Sequence, residues 1–299
     1  MKILLFGKDG QVGWELQRSL AALGELIALD KNSTKFCGDF TDLAGIAETV
    51  ATVRPEVIVN AAAHTAVDKA ESEPELAQTL NALAPGVLAD AAQKLGSLLV
   101  HYSTDYVFDG TGDHGWNESD TPAPLNVYGR SKLEGERLVA QRCSRHLILR
   151  TGWVYGARGS NFAKTMLRLA RERERLAVVA DQIGAPTGAE LLADVTAHAL
   201  RAVHADSQLA GLYHLTAAGE TSWHGYACFV IETALSRGVE LKLSADALQP
   251  ILTSAYPSAA ARPRNCRLDC SRLEAAFGLR LPPWQLGVAR MLAELPDPT

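Results

Sequence analysis

A doubly wound α/β fold around a parallel sheet is what this sequence predicts, and three observations predict it. Short apolar runs recur through the first half: "KILLF", "LIALD", "EVIVNAA", "SLLVHYS" and "HLILRT". Helix-length segments separate them, among them "QVGWELQRSLAAL" and "PELAQTLNALAPGVLADAAQKLG". The first run ends in a glycine loop, "GKDGQVG", that leads straight into the first helical pattern. Strands without a polar face need helices covering both sides of the sheet, so runs of this kind spaced by helices indicate βαβ units.

The elements follow in order. "KILLF" is the first strand and a helix starts near Gln11; "LIALD" ends at Asp30 and "EVIVNAA" leads into Ala61–Ala63. "SLLVHYS" is the fourth strand, with Thr104 just past its end, and "HLILRT" is the fifth. Residues 1 to about 155 are therefore expected to form the sheet domain. Beyond them the pattern loosens. "NFAKTMLRLARERE" reads as an amphipathic helix with a basic face, "LYHLT" as a late strand and "WHGYACFVIETAL" as a helix. A Pro- and Ala-rich stretch, "YPSAAARPRN", precedes two short helices. Residues 156–299 are expected to form a smaller α/β substrate-binding region, interleaved with the sheet domain through a strand near 211–216.

Composition bounds the function. The chain has 299 residues, 47% of them hydrophobic, enough for a sizeable core. A formal net charge of −5 argues against nucleic-acid or anionic-membrane partners, which favour a basic face. An acidic small substrate stays open, because a local arginine cluster suffices to bind phosphate. Five cysteines without a Cys-x-x-Cys indicate reduced thiols rather than a disulfide framework or a zinc site. The N-terminus lacks the apolar length of a signal peptide and no stretch approaches a membrane span, so a soluble cytoplasmic protein is expected.

Gly7, Gly10 and Gly13 are spaced G-x-x-G-x-x-G between a buried strand and a helix. Such a loop lets backbone amides approach a pyrophosphate, and the helix N-terminus adds partial positive charge. Isolated glycines would mean an ordinary tight turn. Position at the first βα junction, together with Asp30 at the end of the next strand to accept ribose hydroxyls, favours a Rossmann-type dinucleotide site. Asp39 and Phe40 in "CGDFTD" lie where an adenine would sit, and the small residues Ala61–Ala63 let a cofactor pass close to the backbone. His64 is expected to line the site only. Tyr128 lies four residues before Lys132, so the two share a helix face. That spacing alone does not separate an acid–base pair from coincidence.

Together "GQVGWEL", "NAAAHTAVDKAE", "STDYVFDG", "LNVYG", "YGRSK", "GAPTGAELLA" and "ARPRNCRLD" resemble, in this order and over essentially the whole chain, the extended short-chain dehydrogenase/reductases acting on nucleotide sugars. Within them the match is closest to the dTDP-4-dehydrorhamnose reductases. The resemblance implies NADH- or NADPH-dependent reduction of the C4 ketone of dTDP-4-dehydrorhamnose to dTDP-L-rhamnose. It implies Thr104, Tyr128 and Lys132 as the catalytic set. It implies Gly10, Gln11, Val12, Asp30, Asp39, Phe40, Ala63, His64, Thr65 and Tyr102 as cofactor contacts, and Thr104, Asp105 and Trp153 as substrate contacts. It further implies a homodimer with Mg²⁺ at the interface, held through the segments of Glu15 and Glu190. Arg262 and Asn265 in "ARPRN" are expected to hold the substrate diphosphate, the alternative being a solvent-facing basic loop. Asp30 favours NADH, whereas neighbouring Lys31 compensates in favour of NADPH, so the coenzyme stays open.

The residue types suit that chemistry. A tyrosine must protonate the alkoxide formed at C4, yet its ordinary pKa near 10 is high, and lowering it to about 7 takes roughly 4 kcal/mol. An ammonium at about 5 Å in an effective dielectric of about 20 supplies about 3 kcal/mol, so Lys132 is expected to do most of this. Thr104 is expected to orient the carbonyl through its hydroxyl. The related 4,6-dehydratases carry an acidic pair after the strand-end threonine; here Tyr106 follows Asp105, which argues against elimination. A nucleotide-sugar 4-epimerase and a non-catalytic regulatory subunit on the same scaffold remain as alternatives.

Overall fold

Every one of the five apolar runs becomes a strand of one parallel sheet. The computed structural model describes residues 1–295, so the end of the region expected over 156–299 lies outside the described residues. The first half runs β1 (Lys2–Phe6), α1 (Gln11–Ala21), β2 (Glu25–Leu29), α2 (Leu43–Val53) and β3 (Val57–Asn60). It continues with α3 (Val67–Ser72), α4 (Pro74–Gln78), α5 (Ala84–Leu95), β4 (Leu98–Thr104), α6 (Val127–Arg142) and β5 (His146–Thr151). The second half contributes β6 (Val154–Tyr155), α7 (Phe162–Glu172), β7 (Leu176–Val179), β8 (Ile183–Gly184), β9 (Thr187–Gly188), α8 (Ala189–Ala205) and β10 (Gly211–His214). It ends with β11 (Thr221–Ser222), α9 (Trp223–Ser236), β12 (Leu248–Ile251), α10 (Ser271–Phe277) and α11 (Trp284–Glu294).

The main sheet has the order β10-β5-β4-β3-β1-β2 with all pairs parallel. Alternation along each strand fills the two faces. Ile3, Leu5, Val57, Val59, Val100 and Leu147 pack with Leu16 and Leu20 of α1 and Leu192 and Val195 of α8. Leu4, Phe6, Ile58, Leu99 and Ile148 pack against Ile46 and Val50 of α2 and Leu88 and Ala92 of α5. The order reverses between β1 and β3, and in open α/β sheets the crevice at such a point, outside the carboxyl ends of the strands, binds ligands. A separate apolar cluster joins α7, α9 and α11 through Leu167, Tyr226, Val230, Ile231, Trp284 and Val288. It reaches the sheet's carboxyl edge at Trp153 and Tyr155.

The segment read as one helix, "PELAQTLNALAPGVLADAAQKLG", is interrupted by a π turn over Thr79–Leu83. Pro85 has no amide hydrogen, so the carbonyl four residues earlier, on Asn81, loses its helical donor. The wider turn absorbs the defect, the Ala84 amide reaching back to the Thr79 carbonyl. Gly135 of α6 rests on the released Asn81 carbonyl, where an added Cβ would lie 2.1 Å from the oxygen. Gly135→Ala should therefore push α6 off its seat. A destabilisation of about 1–3 kcal/mol is expected, read as a lower urea midpoint; an unchanged midpoint would show that the contact is not a tight one.

Candidate active site

At the β1–β3 crevice the glycine loop is shaped by backbone contact. Gly7 has φ +86°, and a Cβ on it would lie 2.6 Å from the Ala62 nitrogen; one on Gly13 would lie 2.0 Å from the Gly7 oxygen. Gly10 is different. Its nearest neighbour would be 3.4 Å away, and it starts α1 with no side-chain cap, leaving the first amides of the helix open. These features, with the part-exposed Ala61–Ala63 edge, fit the pyrophosphate of a dinucleotide. Gln11 receives a hydrogen bond from the Asn161 amide at 3.1 Å, tying the loop to the start of α7. Asp30 follows β2. Desolvation opposes its ionisation, but hydrogen bonding shared with Asp9, together with that from the Asn32 amide, Lys8 and Ser33, prevails and holds it down at about 2. The cation paired with Asp30 is Lys8, with Nζ 3.3 Å from it, while Lys31 is exposed. The Phe40 ring is buried edge-on against Phe6 at 5.4 Å, so it offers an adenine no face; Asp39 beside it is the accessible part. His64 is buried after β3, its amide and carbonyl clamped by Asn81 at 2.8 and 3.0 Å, while Thr65 is exposed.

The catalytic candidates meet where β4 ends against α6. Asn126 caps α6 by accepting from the Gly129 amide at 2.7 Å and donates to the Ala261 carbonyl at 2.8 Å. Glu71 accepts from the Val127 amide. On the next turns Tyr128, Lys132 and Glu136 follow at i, i+4 and i+8, on the side of the helix that faces the sheet. Ser131 donates to the Tyr128 carbonyl and accepts from Asn81, locking the first turn to the π segment. Lys132 is 2% exposed and donates to the Tyr102 carbonyl at 2.5 Å. The Tyr102 ring itself faces the other side of the sheet, its hydroxyl 2.6 Å from Thr196 of α8, so only its backbone serves the site. Glu136 is gripped at 2.9 and 2.7 Å by Arg150 of β5.

The electrostatics differ from the expectation that Lys132 lowers Tyr128. Burial pushes Tyr128 up to about 12, a hydrogen bond from Thr104 working against it and the Asp105 charge adding to it. Burial likewise brings Lys132 down to about 8, with Glu136 opposing. The ammonium is spent on the Tyr102 carbonyl rather than on the phenol, and desolvation dominates both groups. Asp105, 2% exposed, is pushed up to about 6 by burial, against the hydrogen bond it accepts from Thr104 at 2.9 Å.

Four buried polar atoms gather at the ends of β4 and β5 with no partner among the described residues: Ser103 Oγ, Asp105 Oδ2, Thr151 Oγ1 and Trp153 Nε1. Unsatisfied buried polar groups are rare, and a cluster of them marks where a polar ligand belongs. Trp153 also has φ +51°, a conformation that costs a non-glycine residue about 1–3 kcal/mol. Its ring is held stacked on Trp223 at 3.6 Å. Arg262 pairs with Asp68 at 2.6 Å near the edge of the site. Asn265 is 2% exposed and fully engaged. It donates to the Thr111 and His114 carbonyls and accepts from Arg267, which leaves nothing for a diphosphate. Glu15 pairs with Arg18 at 3.2 Å, and burial, with the charges of Glu15 and Glu294, raises Glu190. No three metal-ligating side chains gather among the described residues, and Mg²⁺ requires near-octahedral oxygen coordination. The expected magnesium site lies between two copies of the chain, and in one copy the acidic charges near Glu190 are those of Glu15 and Glu294.

Residues that sequence reasoning passed over are Lys8, Asn81, Asp68 and Trp223. Lys8 stood inside the quoted loop, and its charge beside a phosphate site was the available signal. Asn81 had none, since its role arises from the π turn.

The family described as RmlD substrate binding domain matches residues 1–296. The dTDP-4-dehydrorhamnose reductase of Shigella flexneri is 60% identical, the alignment covering 99% of this chain and 98% of that protein. A solved dTDP-4-dehydrorhamnose reductase from Clostridium acetobutylicum is 35% identical with a TM-score of 0.89, covering 98% of this chain and 99% of that one. One from Bacillus anthracis, solved in complex with NADP, is 36% identical with a TM-score of 0.88, covering 98% and 100%.

The fall of Lys132 to about 8 through burial is open to direct measurement. With carbon-labelled lysine, NMR should show one resonance with a midpoint near 8 that is missing from Lys132→Met; a midpoint in the ordinary range near 10.5 would contradict the burial described here.

Proposed function

The chain belongs to the RmlD substrate binding domain family, and on that premise we propose that it is the reductase of dTDP-rhamnose biosynthesis. It is an NAD(P)H-dependent oxidoreductase that reduces the C4 ketone of dTDP-4-dehydro-L-rhamnose to dTDP-L-rhamnose, the last step of that synthesis. The observation that carries this reading is the convergence of Thr104, Tyr128 and Lys132 at the carboxyl edge of β4, beside the cluster of unsatisfied polar atoms.

A nicotinamide coenzyme, when bound, supplies the hydride to C4. The open amides of Gln11 and Val12 after Gly10 would hold its pyrophosphate, and Asp30 and Asp39 its adenosine half. Ala63, His64 and Thr65 would line the passage toward the nicotinamide. Tyr128 is the proton donor: at about 12 it is fully protonated near neutrality, which is the form that a reduction consumes. The Tyr128 hydroxyl gives its proton to the C4 oxygen, and the phenolate left behind lies one helical turn from Lys132, whose charge stabilises it. Thr104 donates its hydroxyl hydrogen bond to Asp105 at 2.9 Å, and it orients the carbonyl when it turns that proton to the C4 oxygen. Asp105 and Trp153 present the unsatisfied atoms that a sugar hydroxyl would meet. Arg262 serves the diphosphate if it exchanges Asp68 for phosphate oxygens. Burial also keeps competing water from the reacting centre.

Incubation with NADPH and the ketosugar should consume the nicotinamide absorbance. Tyr128→Phe should lower turnover by about 10²- to 10⁴-fold while coenzyme binding persists; near-normal turnover would overturn the assignment. NAD retained through purification, with no net NADPH oxidation, would instead identify an epimerase. Lys132 is charged below its pKa of about 8 and neutral above it, so kcat/KM for reduction should fall as pH rises through about 8. A profile flat across that range would remove Lys132 as the stabilising cation.

A further inference from the structure

The glycine loop holds a cation that the reaction above does not use. Lys8 lies between Gly7 and Gly10, and its Nζ is 3.3 Å from Oδ2 of Asp30. The other oxygen of Asp30 accepts from the Asn32 amide at 2.8 Å and the Ser33 hydroxyl at 3.1 Å. The carboxylate is therefore neutralised and committed before any coenzyme arrives. A bare carboxylate at this strand end accepts the ribose hydroxyls of NADH and repels the 2′-phosphate of NADPH. Lys8 alters both sides of that choice. Its pair with Asp30 is partly open to solvent, with side chains 31% and 16% exposed, and such pairs are weak enough to be exchanged. Lysine is also suited to the exchange, being a compact charge on a flexible stem. Among the described residues Lys8 has no second acidic partner to hold it.

We propose that Lys8 is the residue that admits NADPH alongside NADH, by exchanging Asp30 for the 2′-phosphate. With NADH, a ribose hydroxyl takes the place of the ammonium on Oδ2. With NADPH, the ammonium turns to the phosphate and offsets the charge of Asp30 next to it. Lys31, adjacent in sequence but exposed and outside any ion pair among the described residues, has no part in this.

The proposal rests on the glycine loop being the coenzyme site, and the test separates the two. Binding of NADPH, NADH, 2′,5′-ADP and 5′-ADP is measured by calorimetry on the full chain and on Lys8→Ala, Lys8→Arg and Lys31→Ala. In Lys8→Ala the Kd for NADPH and for 2′,5′-ADP should rise about ten- to hundredfold, the range for a lost charge-assisted hydrogen bond. Affinities for NADH and 5′-ADP should hold or improve, because Asp30 is released. Lys8→Arg should restore most of the NADPH affinity, and Lys31→Ala should bind all four like the unaltered chain. Equal weakening of phosphorylated and unphosphorylated ligands in Lys8→Ala would overturn the proposal, as would a phosphate-selective loss in Lys31→Ala. Failure of the unaltered chain to bind either coenzyme would overturn the coenzyme site itself, and this inference with it.

Discussion

A buried ion pair fixes the helix that carries Tyr128 and Lys132. Glu136 and Arg150 are 5% and 3% exposed, and a charge removed from water to that extent is tolerated only when paired. The pair joins α6 to β5 by two parallel hydrogen bonds, a geometry that permits no slide of the helix along the sheet. His214 of β10 lies 3.4 Å from the same guanidinium, and burial followed by that charge holds it down at about 3, in the neutral form. The Phe108 ring covers the guanidinium at 5.1 Å. Tyr128 and Lys132 sit two turns and one turn before Glu136, so a contact outside the pair sets their positions. Gly135 on the Asn81 carbonyl and Ser131 on the Asn81 amide complete the seating from the other side.

Burial then decides the protonation states. Tyr128 rises and Lys132 falls, each toward its neutral form, because the walls of the site solvate ions poorly. For a reductase the first shift is suitable, since a protonated phenol is what the new alkoxide requires. The second leaves Lys132 charged near neutrality by a modest margin, with Glu136 supporting the charge from one turn away. Neutral His101, brought far down by burial and by Lys132, adds no competing cation.

The two ends of the crevice are built on different principles. At the glycine-loop end, backbone groups do the shaping: Gly7 and Gly13 permit contacts that any Cβ would forbid, and Gly10 leaves the helix amides open. At the ends of β4 and β5, side chains with unmet hydrogen-bonding capacity surround a strained tryptophan that Trp223 holds in place. Asn161 links the ends, capping α7 while donating to Gln11 of the glycine loop.

The strands, the glycine loop and the Tyr128–Lys132 pair were legible in the sequence because each is a local pattern. Apolar runs, turn glycines and i, i+4 spacing are fixed by neighbours within a few residues. The π turn was not legible, since Pro85 can break a helix or widen it, and the packing of Gly135 on the released carbonyl selects the second outcome. Nor were the partners of Asp30, Arg262 and Asn265, because residues such as Asp68 and Arg262 meet only after the chain returns from far along its length. The pKa directions belong to the same class: spacing alone suggested that Lys132 acts on Tyr128, whereas desolvation, a property of all the surrounding groups together, outweighs any single charge. The sequence by itself thus determined which residues are candidates for the chemistry. Only the tertiary structure decided what each of them faces, because burial and long-range pairing exist nowhere in the chain until it has folded.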